Sequence, residues 1–359
     1  MNWKKERSKT PFDRAKERNK QVANSMTGNS SAHLTSQLLS KMEDGREFES
    51  LTKHQFSNLN LKTEIQASIK EIENVRHRPA VCFMANTISV VGNNMIEDSD
   101  DLPFEEMISA IDKDVKEIDI ILETPGGLST TVAKFVDKLR TRFDHIGFVI
   151  LNKAMSAGTM FAMSGDEIVM TSSSQIGPID PQVRRMNGTF LPAQSILYLI
   201  EEVKKRGNEN IAKQKPIDWT DQLLINGMDR MEAGNAMIMS SKSIDMVENY
   251  LDKYKFKEWT THKNGDPVTS DQKRTRANEI AKLLCNHEKW KDHGYAIDRI
   301  TAWEVCQLKI THSESIDGMD RAMKRMWALM YYLFLNSQIQ KVYVSSNYGI
   351  IRTVKTITK

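Results

Sequence analysis

The sequence predicts an α/β fold built on a parallel sheet, and three observations carry that prediction. Short, apolar, β-branched runs at PAVCFMA (79–85), IDIILET (118–124) and HIGFVIL (145–151) have the length of buried strands. Between the last two lies STTVAKFVDKLRTRF (129–143), whose apolar residues recur with a helical period. Strand, helix and strand in that order make a crossover unit, which is what parallel pairing requires. At 359 residues the chain can bury a large core, expected as one domain with attachments.

In chain order, residues 1–60 are rich in Lys, Ser, Asn and Gln and read as a partly disordered or loosely helical extension. Its first 20 residues hold eight Lys or Arg against three acidic residues, although the whole chain carries a net charge of only +3. Such an arm is a solvated tail that could engage an unidentified partner. TEIQASIKEIENVRHR (63–78) is a helix leading into the first strand. DEIVM (166–170) is a further strand, and residues 156–164 form the helix that crosses to it. Adjacent Asp166 and Glu167 point to opposite faces of that strand and are expected to meet solvent rather than act as a carboxylate pair. After Gly177 and Pro178 the chain turns helical. LPAQSILYLIEEVKKRG (191–207) is expected to stop at Gly207, and a long helix follows from about Met228 to Tyr254, its methionines expected in the core. NGDPVTSD (264–271) is a linker, RTRANEIAKLLCNHEKW (274–290) a helix, and KVYVSSNYGIIRTV (341–354) a terminal strand. The expected organisation is an extension over 1–60, a catalytic domain over 61–255, its helical continuation over 256–320, and a C-terminal helix and strand over 321–359 able to mediate oligomerisation.

Several classes are excluded. Cys82, Cys285 and Cys306 have no CxxC spacing and are too few for a disulfide framework, which fits a reducing, cytoplasmic setting. The charged N-terminus lacks the apolar core of a secretion signal. WALMYYLFL (327–335) is about half the ~20 residues of a membrane span and reads as a core or oligomer helix. His287 and His293 stand six apart, which is not the spacing of a helical zinc pair, so no metal or organic cofactor is expected and both histidines read as structural or surface residues.

The chemistry concentrates in two motifs. AMSAGT (154–159) sets Ser156 among small residues between a strand and a helix, with the Ala157 N–H aimed where negative charge would form. ILETPGG (121–127) runs a strand into a turn where Gly126 and Gly127 can bring a second N–H close. Either motif alone could be a helix cap or a corner; together they suggest acyl transfer. Serine also needs a base. No histidine lies between His145 and His262, so a Ser-His-Asp arrangement would need a distant one such as His262, His287, His293 or His312. Lys242 shares a helical stripe with Ile238, Met239 and Met246, and a lysine held against apolar side chains loses hydration and tends toward the neutral amine. It could equally extend to solvent over those side chains. Lys213 and Lys215 are the alternatives.

TPGG, AMSAGT, SGDEIVM and GPIDPQ, in that order, resemble the serine dehydrogenase proteinases, a branch of the Clp-protease and crotonase superfamily similar to signal peptide peptidase A. The similarity spans about residues 70–310. The resemblance implies a Clp/crotonase-like spiral of ββα units with additional helical segments, and a serine endopeptidase acting on polypeptides through an acyl-enzyme. It also implies Ser156 as nucleophile, an oxyanion hole at Gly126, Gly127 and Ala157, a lysine base, and assembly into homo-oligomers. NAMIMSSKSIDMV resembles the helix carrying the dyad lysine in stomatin-operon proteases, with Lys242 at the matching position. The insertion at 192–227 departs from that pattern, and peptidases of the signal-peptide type draw their lysine from a loop resembling 211–216, which keeps Lys213 and Lys215 in play. The rival expectations are an inactive scaffold of the same fold and a crotonase-type acyl-CoA enzyme.

Overall fold

The computed structural model describes residues 36–53, 60–89, 93–184 and 190–354. The basic arm lies outside them. Within the expected extension, Leu38, Leu39, Met42 and Leu51 are buried, the last in helix α1 (Glu47–Thr52). Helix α2 (Leu61–Arg76), capped by Asn60, leads into strand β1 (Ala80–Ala85). Then follow α3 (Asp101–Ser109), β2 (Glu117–Thr124), α4 (Ser129–Arg142), β3 (His145–Ala154), α5 (Ala157–Met163) and β4 (Glu167–Met170). Short strands β5 (Gln175–Ile176), β6 (Gln182–Arg184) and β7 (Phe190–Pro192) precede three helices, α6 (Ala193–Ala212), α7 (Trp219–Asn226) and α8 (Arg230–Tyr250). The remainder comprises α9 (Ser270–Leu284), α10 (His287–Trp290), β8 (Ile297–Asp298), α11 (Arg299–Glu304), β9 (Thr311–His312), α12 (Met319–Asn336), β10 (Ile339–Ser345) and β11 (Gly349–Thr353).

The central sheet runs β11-β10-β1-β2-β3-β4-β9, with β1 through β4 and β9 parallel and β10 antiparallel to both its neighbours. This is the mixed α/β class expected. Alternation along the strands builds two cores. Val81, Phe83, Ile120, Leu122, Phe148 and Ile150 face α3, α4 and α5, whereas Cys82, Met84, Ile121 and Val149 face α2 and α12. The backbone and side chains thus fix a sheet whose β2 and β3 both end, at Thr124 and Ala154, beside the predicted serine.

Four sequence expectations need correction. Gly207 does not stop its helix; it lies inside α6, where nothing crowds it and its φ is not positive. The terminal segment is a hairpin rather than one strand. Asp166 and Glu167 are not free in solvent: Asp166 pairs with Arg140 (2.9 Å) and Lys257 (2.7 Å), Glu167 with Arg76 (2.5 Å) and Arg78 (3.2 Å). The methionines of α8 are not uniformly core. Its inward residues are Ala236, Ser240, Ser243 and Val247, so Met231 (74% exposed), Met237 and Ile238 (68%) face outward. By contrast, the apolar stretch of α12 is covered within the chain, with Leu329, Met330, Leu333 and Phe334 buried.

Candidate active site

Ser156 occupies the N-cap position of α5 at φ 50° and ψ −116°. For a non-glycine residue that is a sparsely populated conformation, costing on the order of 1–3 kcal/mol, and it is the strand-to-helix bend that thrusts a side chain out of the chain path. The position is a cap but the side chain is not: Ser156 makes no capping hydrogen bond. A serine placed there to stabilise a helix would bond to the N–H two or three residues on. The small residues around it are dictated by contact. A Cβ on Gly158 would meet the Thr124 methyl at 2.4 Å, and one on Gly177 would meet the Met155 side chain at 2.6 Å.

The Pro-Gly-Gly turn lies directly against this bend. A Cβ on Gly126 would stand 2.9 Å from Ser156 Cβ and 3.4 Å from the Ala157 nitrogen. Gly126 and Gly127 have φ of 105° and 145°, a region that side chains disfavour. The Gly126 N–H is held by Thr124 Oγ1 (3.1 Å), and the Gly126 carbonyl accepts from the Ile96 N–H (2.7 Å). In a trans peptide the N–H points opposite to the C=O, so the Gly127 N–H is turned away from Ile96. Neither it nor the Ala157 N–H donates to any acceptor among the described residues. The structure therefore brings Ser156, Gly126, Gly127 and Ala157 together and leaves two backbone donors free beside one hydroxyl.

The lysines are elsewhere. Lys242 lies on the exposed face of α8, beside Ile238 and Met239. Lys213 caps the end of α6 and pairs with Glu209 at 3.6 Å, and Lys215 is exposed in the following loop. No hydrogen bond joins Ser156 to any of the three.

Two features escaped the sequence reading. Asp180, from GPIDPQ, is wholly buried and takes His293 Nδ1 at 2.8 Å and His287 Nδ1 at 3.3 Å. It follows Gly177 by three residues, a reach of at most about 10 Å from the chain that packs on Met155. The motif itself was the available signal, since a carboxylate between two prolines in a buried turn needs partners. Glu123, the penultimate residue of the strand that enters the glycine turn, is also wholly buried. It accepts from Thr87 Oγ1 (2.5 Å), Asn152 N (3.2 Å), Asn152 Nδ2 (3.1 Å) and Lys153 N (2.7 Å). Burial outweighs those four donors and pushes its carboxyl up to about 7.

The sequence model of the ClpP-like SDH-type serine proteinases matches residues 53–258, more than half of the chain, and the protein belongs to that family. Among its relatives, the uncharacterized protein MJ0137 of Methanocaldococcus jannaschii is 36% identical over 107 residues, 30% of this chain and 35% of that protein. The uncharacterized protein MJ1495 of the same organism is 32% identical over 239 residues, 66% of each chain. The first match thus spans about a third of that relative's length. Among solved structures, the 1510-N membrane-bound stomatin-specific protease, determined as a serine-to-alanine mutant, is 23% identical. That match covers 31% of this chain and 57% of that one with a TM-score of 0.25, a partial likeness from which no residue's role follows. Among the described residues no helix is long and apolar enough to cross a membrane, and no group of three or more His, Cys, Asp or Glu could hold a metal ion.

Proposed function

We propose that the protein is a serine endopeptidase that cleaves polypeptides through an acyl-enzyme on Ser156. One observation carries the reading: an uncapped serine in a strained bend stands beside the free N–H groups of Gly127 and Ala157. Ser156 Oγ attacks the scissile carbonyl as its proton passes to a base, and the two amides hold the oxyanion. The base then protonates the departing amine, and water attacks the acyl-enzyme to release the acid and restore the serine.

Lys242 is the base implied by the family resemblance. On the exposed face of α8 it acquires the dry surroundings of a neutral amine only when another surface covers Ile238 and Met239. A homo-oligomer supplies such a surface, and the outward apolar residues of α7 and α8, among them Trp219, Leu223 and Met231, favour self-association there rather than through α12. A second reading of the base is supported by Asp180. An imidazole bonded through Nδ1 to a buried carboxylate has its tautomer fixed and its other nitrogen presented outward, which is the arrangement of a general base. We place the protein in the reducing cytoplasm, in keeping with three buried, unpaired cysteines.

The deciding experiment is the rate of fluorophosphonate labelling against pH for Lys242→Met, His287→Gln/His293→Gln and Lys213→Met/Lys215→Met. Loss in Lys242→Met alone establishes the lysine; loss in the histidine pair alone establishes the Asp180-held base. Labelling absent from the parent protein at every pH returns the chain to a scaffold, and acyl-CoA binding in that case would favour the crotonase alternative.

A further inference from the structure

Lys341 is the sole wholly buried lysine among the described residues, and it lies on β10, outside the segment matched by the family model. A buried ammonium persists only if its hydrogen-bonding capacity is met. Its Nζ donates to Asp100 Oδ1 (2.8 Å) and Oδ2 (2.9 Å) and to the Met95 carbonyl (2.7 Å), with Glu97 Oε1 at 3.5 Å. Asp100 is itself buried and also accepts from Tyr343 Oη (2.6 Å), Arg352 (3.1 Å) and the Glu97 N–H (2.9 Å). Both ends of the segment 95–100 are therefore fastened to the C-terminal hairpin.

Ile96 directly follows the first of those fastenings. Its N–H holds the Gly126 carbonyl, and its own carbonyl accepts from the Leu128 N–H at 2.9 Å. Its backbone occupies the space a Cβ on Gly127 would need, with atoms at 2.3, 2.4 and 2.8 Å. The direction of the Gly127 N–H is thus set by Ile96, and the location of Ile96 by Lys341 and Asp100.

We propose that Lys341 is a positioning residue for the oxyanion turn: the C-terminal strand, through the Lys341–Asp100 pair and the Met95 carbonyl, aims the Gly127 N–H at the reacting centre. This inference rests on the reading of Ser156 as nucleophile. It makes the C-terminal hairpin a part of the catalytic apparatus rather than an appendage. Asp100 is served by Tyr343 and Arg352 as well, but only Lys341 also grips the Met95 carbonyl beside Ile96. That contact separates positioning from mere pairing.

The test compares Lys341→Met with Lys341→Met/Asp100→Asn, in which no unpaired carboxylate is buried while Tyr343, Arg352 and the Glu97 N–H keep an acceptor, so that the double variant is expected to fold even if the single one does not. The readouts are the fluorophosphonate labelling rate per folded molecule and, on a peptide substrate, kcat and KM separately. Misaiming one donor predicts a 10- to 100-fold fall in labelling rate and in kcat, with KM nearly unchanged. A folded double variant with parental labelling rate and kcat, or a fall confined to KM, would overturn the proposal. Parental protein that does not label, or that labels equally as Ser156→Ala, would instead remove the nucleophile reading and the oxyanion role with it.

Discussion

Asp180 and His293 form a hydrogen bond of 2.8 Å between a wholly buried carboxylate and an imidazole 113 residues further along the chain. Together with His287 it ties the turn that follows β5 to the segment after α9. Removing one partner from a buried carboxylate leaves a desolvated charge, so His293→Ala is expected to destabilise the protein by about 2 kcal/mol. Urea denaturation measures this, and a variant as stable as the parent would show that His287 alone satisfies Asp180.

Glu123 makes stability depend on pH. Unfolded, its carboxyl ionises near its ordinary value of 4.5, whereas burial holds the folded group up to about 7. Between those values the folded state binds more protons, so this contribution is fully present below 4.5 and is lost as pH rises through about 7. The loss is on the order of 3 kcal/mol. Chemical denaturation from pH 4 to 8 should show this decline in the parent and a flatter profile in Glu123→Gln.

The bend at Ser156 predicts an inverted stability order for two variants that lack the hydroxyl. Alanine inherits the strained φ of 50°, whereas glycine adopts it without a Cβ penalty. Ser156→Gly should therefore be more stable than Ser156→Ala by about 1 kcal/mol, against the usual preference for alanine. Thermal unfolding of the two proteins compares them directly; equal or reversed stabilities would mean that the bend relaxes.

Glycines of similar appearance should respond in opposite ways. Gly127→Ala drives a Cβ into the Ile96 backbone at 2.3 Å and is expected to cost about 3 kcal/mol or more and to abolish labelling. Gly207→Ala meets nothing within 4 Å inside exposed helix α6 and should stabilise by up to about 1 kcal/mol. Thermal denaturation of both, with labelling of the first, checks the contrast.

Legibility in the sequence followed the range of the interaction. Strands β1 to β4 and the turn at Gly126 and Gly127 were readable because their signals are local: short β-branched runs, and glycines where φ is positive. Small neighbours marked Ser156 as a candidate, but only the folded backbone distinguishes an uncapped serine from a cap. The Asp180–His293 contact was not readable because histidines six apart look unrelated until a third, distant residue joins them. Nothing in the sequence singled out Lys341, because its partners come from the distant segment before α3. The methionines of α8 misled because small residues, Ala236, Ser240 and Ser243, define the inward face.

The central claim is that Ser156 is an activated nucleophile, and intact-mass analysis after exposure to a fluorophosphonate tests it most directly. One covalent adduct is expected on the parent protein, located at Ser156 by peptide mapping, and none on a folded Ser156→Ala variant. No adduct on the parent protein across pH and concentration, or the same adduct on Ser156→Ala, would contradict it.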